Sequence, residues 1–328
     1  MQTYRKNIPS NASIKTKNCI FGFYSLISFI MIRPPFLKIG DKIGITCPAR
    51  KISISEIQVA IDILKSWGLE VVLGATIGKE AHQYAGTDDE RRADFQRMLN
   101  DTSIKAILAA RGGYGSVRIM DGLNFRTFMD FPKWIIGFSD ITYFHTQLGC
   151  NIGVETLHAT MPISFPGNTE TALHSLKEAL FGNTLVYEFP SHPLNKNGEM
   201  HGEVVGGNLS ILYSILGTKT ILDTHKKILL LEDLDEYLYH IDRMMISMKR
   251  AGKLKNIAGM IVGGMSDMKD NAIPFGKNAE EIIWEHVAEY DYPVCFNFPS
   301  GHIADNRAVF MGKQARITLN EDSCIFKQ

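Results

Sequence analysis

Short apolar runs alternate with amphipathic stretches between Lys42 and Leu148. The runs have the length and composition of buried strands and lie at Lys42–Cys47, Val71–Leu73, Ile104–Ala110 and Trp134–Phe138. Apolar residues at helical spacing predict helices beginning near Ser55, over Asp88–Asn100 and over Thr142–Leu148. Because strand–helix–strand units of this length connect in a right-handed sense, this half predicts a parallel α/β sheet.

The first of these helices also has predicted ends. Ser55 and Gln58 have the spacing of a capping box, in which each side chain binds the other's backbone N–H. Gly68 follows the last apolar position and predicts the end of the helix.

The pattern changes after Met161-Pro162. Residues 166–200 hold several prolines and glycines and one helical stretch near Thr171–Phe181, which predicts an interdomain crossing. Further elements are predicted at Leu209–Leu216 (helix), Lys227–Leu231 (strand), Tyr239–Arg250 (helix), Ile257–Val262 (strand) and Ala315–Leu319 (part of a β-rich end). At about 150 residues per domain, 328 residues predict two domains. We expect a Rossmann-like or flavodoxin-like parallel α/β domain at 33–165 and a smaller, mixed, β-rich α/β domain of the swivelling type at 201–328.

Composition excludes some classes of function. Apolar residues make up 45% of the chain, enough for a sizeable core, and the formal net charge is zero. A nucleic-acid-binding protein needs a basic surplus, so we expect no nucleic-acid partner. The five cysteines are scattered without a CxxC pair, which favours a reducing compartment and argues against a metal site.

The first 32 residues allow two interpretations. Lys15 and Lys17 precede an apolar run over residues 19–31, which could be an export signal or a weak anchor. The run is short for a membrane span, and no small-residue cleavage site follows it. The alternative, which we favour, is that Met31 is the true start and residues 1–32 are a leader or a mis-assigned start.

Two turns after predicted strands could carry chemistry. The Arg111-Gly112-Gly113-Tyr114-Gly115 turn could let backbone N–H groups approach a ligand, although it could equally be a tight turn. In Gly137-Phe138-Ser139-Asp140, a serine between a strand and a helix resembles an exposed nucleophile, although serine is also a common helix N-cap.

A nucleophilic serine needs a base, and the base needs an acceptor that fixes its tautomer. Glu232 ends a predicted strand, and His302 follows Gly301 in a C-terminal loop. His158 and His145 are alternative bases, and spacing alone does not choose among the three.

Five segments in order resemble the LD-carboxypeptidase (muramoyltetrapeptide carboxypeptidase) family, which includes microcin C immunity hydrolases. They are RGGYGSVRIMDGLNF, IIGFSDIT, GGNLSIL, LLLEDLDEYLYHIDRM and GHIADNRAVFMG. The resemblance covers about Pro35 to Leu319. It implies a Ser139–Glu232–His302 triad, with an oxyanion hole made by the backbone N–H groups of Gly113 and Asp140.

The resemblance also implies a function. The enzyme would release the terminal D-alanine of a murein-derived tetrapeptide during cell-wall recycling, as a cytoplasmic homodimer without a cofactor or a stable membrane partner. Arg111 and Arg243 are candidates for binding the substrate carboxylate, and either could instead form a structural ion pair. Asn208 and Glu236 are further candidates for peptide contacts, although Glu236 could simply begin the helix that follows it.

Two other functions remain open from the sequence. One is the same chemistry on an aminoacyl-adenylate-like amide, as in microcin C immunity. The other is a non-catalytic nucleotide- or flavin-binding protein that uses the glycine turn. The third residue of a tetrapeptide substrate could be lysine or diaminopimelate.

Overall fold

Thirteen strands and nine α-helices make up residues 31–328, the part of the chain that the computed structural model describes. The strands are β1 (Lys42–Thr46), β2 (Glu70–Leu73), β3 (Ile104–Ala109), β4 (Trp134–Gly137), β5 (Thr156–His158), β6 (Val186–Pro190), β7 (Gly198–Asn208), β8 (Ile228–Leu234), β9 (Gly259–Ser266), β10 (Val294–Cys295), β11 (Val309–Met311), β12 (Gln314–Leu319) and β13 (Ser323–Lys327). The helices are α1 (Gln58–Ser66), α2 (Asp88–Asn100), α3 (Ser116–Met120), α4 (Arg126–Asp130), α5 (Thr142–Gln147), α6 (Glu170–Phe181), α7 (Leu209–Ser214), α8 (Leu238–Arg250) and α9 (Ala279–Val287). The predictions for residues 1–30 lie outside the described residues.

The first sheet has the strand order β2-β1-β3-β4-β5-β11. Its first five strands are parallel, as the alternation of apolar runs and helices predicted. Strands β1, β3 and β4 are almost entirely buried, which is typical of a parallel sheet with helices on both faces. Strand β11, from the C-terminal part of the chain, adds an antiparallel edge.

The second sheet has the order β10-β9-β8-β7-β12-β13-β6 and is mixed. Its β7 to β10 half is parallel, whereas β12, β13 and β6 pair antiparallel. This mixed α/β sheet confirms the fold class expected for the second half. Strand β6 lies inside the predicted crossing at 166–200, so that segment contributes an edge strand as well as α6. Pro190 ends β6, and an edge strand is where a sheet tolerates proline.

The predicted cap of α1 was wrong. Residues 55–57 form a 3₁₀ turn, and no side-chain cap is made by Ile54 or Ile57, which precede the turn and the helix. The reciprocal bonds occur two residues earlier, where the Ser53 N–H donates to Glu56 Oε2 at 2.7 Å and the Glu56 N–H donates to Ser53 Oγ at 3.4 Å. Glu56 carries a full charge and binds the N–H more strongly than an amide would, which explains why this pair forms the cap.

The two sheets approach each other at the start of α5. The Asn208 N–H, at the end of β7, donates to Thr142 Oγ1 at 3.0 Å, and Tyr143 Oη lies 2.8 Å from Ser214 Oγ of α7. The segment that follows β4 therefore packs directly on the end of β7, and the ends of strands from both sheets face one region. Among residues 31–328, no helix is both long enough and apolar enough to cross a membrane.

Candidate active site

Ser139 lies on a strained turn between β4 and α5. Its φ is +61°, in the left-handed region that residues with a side chain rarely adopt, and a single 3₁₀ turn over residues 139–141 follows. Strain of this kind is found where the surrounding structure fixes a functional conformation. Ser139 is 9% exposed and lines a cavity, so its hydroxyl has the placement expected of a nucleophile on a strand-to-helix turn.

The glycine turn after β3 packs against this serine. A Cβ built on Gly112 would lie 3.3 Å from Ser139 Oγ and 3.4 Å from the Asp140 nitrogen, so glycine leaves open the space beside both atoms. Gly113 has φ +105°, and within residues 31–328 its N–H donates to no protein acceptor. The predicted oxyanion-hole residues therefore lie beside the predicted nucleophile.

Asp140 connects the two turns. Its Oδ2 accepts a 2.8 Å hydrogen bond from the Ser116 N–H, at the start of α3 and directly after the glycine turn. The side chain is buried, and burial raises the pKa of this carboxyl group. The aspartate after the serine thus has a structural role, which the serine motif alone did not reveal.

Glu232 and His302 form the second half of the site. His302 Nδ1 lies 2.6 Å from Glu232 Oε2, and the carboxylate is fully buried. Glu232 lies within β8 at an irregularity in the β8–β9 register, between Leu231 and Asp233, and irregularities of this kind are found where a strand re-aims a side chain. A Cβ on Gly301, whose φ is +101°, would lie 2.7 Å from Glu232 Cβ, so this approach requires glycine before the histidine.

The opposite charges of Glu232 and His302 affect the two pKa values more than burial does. Burial alone would lower the pKa of His302, but the charge and the hydrogen bond of Glu232 raise this pKa above 6.5. Burial alone would raise the pKa of Glu232, but the charge and the hydrogen bond of His302 lower it. The pair therefore has the electrostatics of a base with its orienting carboxylate.

Ser139 and His302 line one cavity of about 490 Å³. Within the described part of the chain, no hydrogen bond joins Ser139 Oγ to His302, and the His302 ring packs on the Phe138 ring with 4.7 Å between ring centroids. Catalytic hydrogen bonds are often long without substrate and shorten when it binds. The predicted nucleophile, which follows β4, and the predicted base, in the loop between β10 and β11, are thus brought to the same space.

The structure distinguishes the alternative histidines. His145 is buried, with Nδ1 2.8 Å from Thr156 Oγ1 and Nε2 2.9 Å from the Gly137 carbonyl oxygen, so both ring nitrogens are occupied. Its pKa is lowered by burial to about 3. His158 is also buried and does not line the cavity. Neither histidine has the exposure to the cavity that His302 has.

Three of the four predicted substrate contacts reach the cavity: Arg111, Asn208 and Glu236. Asn208 Oδ1 also accepts from the Ile211 N–H and caps α7, and Glu236 Oε2 lies 2.6 Å from His240 Nδ1. Arg243 does not line this cavity; it lies exposed on α8, with its guanidinium 5.1 Å from the centroid of the Tyr239 ring.

Three charged residues that line the cavity were not among the predicted site residues: Arg50, Asp233 and Asp235. Arg50 follows β1, and its side chain lies over Gly113, where an added Cβ would be 2.5 Å from Arg50 Cδ. The signal was available, because residues just beyond the carboxyl ends of parallel strands line the ligand crevice. Burial and the charge of Glu232 raise the pKa of Asp233 to about 7, while its carboxylate accepts from the Ser210 N–H and from Asn208 Nδ2.

Comparison with known proteins gives a consistent family assignment. Residues 43–159 match the family model of the LD-carboxypeptidase N-terminal domain, and residues 201–317 match that of the LD-carboxypeptidase C-terminal domain. A probable murein peptide carboxypeptidase of Bacillus subtilis (strain 168) is 34% identical over 90% of this chain and 94% of its own length.

Solved structures show the same architecture. The crystal structure of muramoyltetrapeptide carboxypeptidase from Oxalobacter formigenes superposes with a TM-score of 0.79 and 25% identity, covering 87% of this chain and 98% of that one. The microcin C7 self-immunity protein MccF, in complex with aspartyl sulfamoyl adenosine, superposes with a TM-score of 0.80 at 20% identity, covering 90% of this chain and 98% of that one. At that identity the second likeness shows the fold alone.

Proposed function

The chain belongs to the LD-carboxypeptidase family and is a peptidase, and from this we propose that it releases the terminal D-alanine of murein tetrapeptides by serine catalysis. The observation that carries the proposal is the buried Glu232–His302 pair, which opens on the same cavity as the strained Ser139. The relatives named above support the substrate, since two of them are named for murein or muramoyl peptides.

The proposed reaction begins when Ser139 Oγ attacks the carbonyl carbon of the residue before D-alanine. His302 Nε2 takes the hydroxyl proton, and Glu232, which accepts from Nδ1, stabilises the imidazolium that forms. The N–H groups of Gly113 and Asp140 donate to the oxyanion in the space beside Gly112. His302 then protonates the leaving amine of D-alanine, and a water molecule hydrolyses the acyl-enzyme by the same steps.

A carboxypeptidase must also bind the free carboxylate of its substrate. Arg50 and Arg111 are the arginines of the described chain that line the cavity, and both lie next to the glycine turn. Arg111 is oriented by a 3.2 Å hydrogen bond from Nη1 to the Lys51 carbonyl oxygen. We assign the D-alanine carboxylate to this pair, because guanidinium groups bind carboxylates by charge and by paired N–H donors. Arg243 stays a prediction that this cavity does not support.

Release of D-alanine tests the proposal. Wild-type protein should release D-alanine from a murein tetrapeptide, measured with a coupled D-amino-acid oxidase assay, and Ser139→Ala should lower kcat by at least about 10³-fold. Ser66→Ala, at an exposed position at the end of α1, is the matched control and should retain activity. A folded Ser139→Ala protein with wild-type turnover would exclude this mechanism.

The same assay separates the alternatives. Cleavage of an aminoacyl sulfamoyl-adenosine without D-alanine release would favour immunity-type chemistry on the same fold. Ligand binding without turnover of either substrate would favour a non-catalytic role. We further propose a homodimer located in the cytoplasm, as the family resemblance implies. Light scattering coupled to size exclusion tests the dimer, and cell fractionation tests the location.

A further inference from the structure

A second histidine lies behind the Glu232–His302 pair. His158 ends β5 and is fully buried, and it stands opposite Gly137 in the parallel β4–β5 register. Its ring centroid is 6.0 Å from that of Phe138, the ring on which His302 packs from 4.7 Å. His158 is therefore held between the nucleophile turn and the region of the base, although it does not reach the cavity.

Polar contacts connect His158 to the loop that carries His302. Ser300 Oγ lies 3.2 Å from His158 Nδ1, and the next residue, Gly301, donates its N–H to Asn306 Oδ1 at 2.9 Å. A Cβ on Gly301 would lie 2.8 Å from Glu232 Oε2, so this short segment contacts the glutamate on one side and the histidine on the other. His158, Ser300, Asn306 and Glu232 form one contiguous buried group, which we call the buried polar cluster.

Three atoms of the buried polar cluster have no hydrogen-bond partner among the described residues. They are His158 Nε2, Glu232 Oε1 and Asn306 Nδ2. Leaving a buried polar atom unpaired is costly, and the cost is greatest for a charged group. Glu232 is the ionised member, so its second oxygen has the strongest requirement for a donor.

The Ser300 hydroxyl determines which nitrogen of His158 carries the proton. If Ser300 donates to Nδ1, across 3.2 Å, then Nε2 carries the hydrogen and is a donor. The alternative has Nδ1 donate to Ser300 while the hydroxyl donates to Asn306 Oδ1, across a longer 3.4 Å. Both arrangements use the 3.2 Å contact, and the second adds the longer one. Only the first gives the unpaired Nε2 a hydrogen in the cluster where Glu232 Oε1 lacks a donor, and an unpaired oxygen of a buried charged group is the most costly to leave.

We propose that His158 is a positioning residue of the active site, whose Nε2–H is linked to Glu232 Oε1 through one buried water and so holds the carboxylate for His302. This inference rests on the proposed function of the Glu232–His302 pair. A buried water needs at least two polar partners, and His158 Nε2 and Glu232 Oε1 are two buried atoms without a partner among the described residues.

The neutral state of His158 fits this role. Burial lowers its pKa to about 4, so it remains an uncharged donor at neutral pH. The hydrogen bond from His158 stabilises the Glu232 carboxylate more when His302 is neutral than when His302 is protonated, because the imidazolium already compensates the charge. Without this hydrogen bond, Glu232 stabilises the protonated form of His302 more strongly, and the pKa of His302 rises. The other groups that act on His302 are Glu232 and Asp233 of β8, and both remain in such a variant.

The variants His158→Leu and His158→Gln test the proposal through the pH dependence of kcat/KM for D-alanine release. We expect His158→Leu to shift the acid limb upward by about half a unit to one unit. On the acid side of the limb kcat/KM should then fall by at most about three- to tenfold, with recovery at higher pH. His158→Gln, whose amide can replace the Nε2–H donor, should lie nearer to wild type. A loss of packing alone would lower the rate without moving the limb, and that result would overturn the proposal.

His145→Gln is the matched control. His145 is buried like His158, with 6.0 Å between the two ring centroids, but its nitrogens bind Thr156 and Gly137 rather than the glutamate. Its replacement should leave the position of the acid limb unchanged, and an equal shift would contradict a specific role for His158.

Histidine-selective NMR titration of His302 separates this inference from the proposed substrate. If wild-type protein releases no D-alanine, the proposed function fails, and the His302 titration in His158→Gln and His158→Leu still decides the role of His158. If His158→Leu does not fold, Ser300→Ala is the substitute test. It removes the hydroxyl that holds the proton of His158 on Nε2, so the pKa of His302 should rise by a smaller amount. An unshifted titration in Ser300→Ala would then overturn the proposal.

Discussion

Gly112→Ala tests the location of the oxyanion hole with one methyl group. The added Cβ would lie 3.2 Å from Ser139 Cβ, 3.3 Å from Ser139 Oγ and 3.4 Å from the Asp140 nitrogen. An oxyanion bound by the Asp140 N–H must lie about 2.7–3.1 Å from that nitrogen and next to the attacking Oγ. The methyl group and the oxyanion therefore compete for the same space.

The expected loss follows from this overlap. If the substrate carbonyl moves away from the methyl group, it loses at least one of the two N–H donors, which costs about 10²–10³-fold in kcat, or about 3–4 kcal/mol. The fold should be retained, because Gly112, unlike its neighbour, has no positive φ, and Ser139 needs to shift by only a few tenths of an ångström. Initial rates of D-alanine release, with circular dichroism to confirm folding, measure both effects.

Two further glycines serve for comparison, Gly167 as a control and Gly113 as a strained position. Gly167→Ala meets no atom within 4 Å and should behave as wild type in both measurements. Gly113→Ala combines φ +105° with a Cβ only 2.5 Å from Arg50 Cδ, so it should lower the stability as well as the rate. A Gly112→Ala enzyme with wild-type kcat would show that the oxyanion does not lie beside Gly112 and would refute this reasoning.

Three other outcomes follow from the site. Glu232→Gln keeps the shape but removes the charge that stabilises the imidazolium, so kcat should fall by about 10³–10⁴-fold in steady-state assays; a loss below tenfold would contradict its role. The pKa of His302 is raised, and His302 must be neutral to act as a base. The kcat/KM of the wild type should therefore fall as pH decreases through a value above 6.5. An acid limb below 6.5 would contradict the raised pKa. Asp140→Ala removes the acceptor for the Ser116 N–H and should cost about 1–3 kcal/mol in urea denaturation, whereas Asp140→Asn keeps an acceptor oxygen and should cost less; equal losses would contradict the bond's contribution.

Local patterns predicted most of the first sheet, because its strands β1 to β4 are apolar runs that alternate with amphipathic helices. What they missed depends on distant parts of the chain. Strand β11 joins the first sheet after a separation of about 150 residues from its partner β5, and β6 is a proline-ended edge strand whose pairing with β13 cannot be read locally. Three-residue strands such as β5 carry too little periodicity to be recognised from sequence.

The site shows the same division between local and distant information. A serine after Gly-Phe is visible in the sequence, but its φ of +61° and the packing of the glycine turn against it are visible only in the structure. Resemblance to a family selected Glu232 and His302 from many possible partners, and the structure supplies the physical reason that they meet. The strand irregularity at Glu232 and the positive φ of Gly301 bring a carboxylate and an imidazole within 2.6 Å. No such motif marks Arg50. An arginine after a strand can be recognised as a site residue only in the folded structure, where its side chain lies over Gly113.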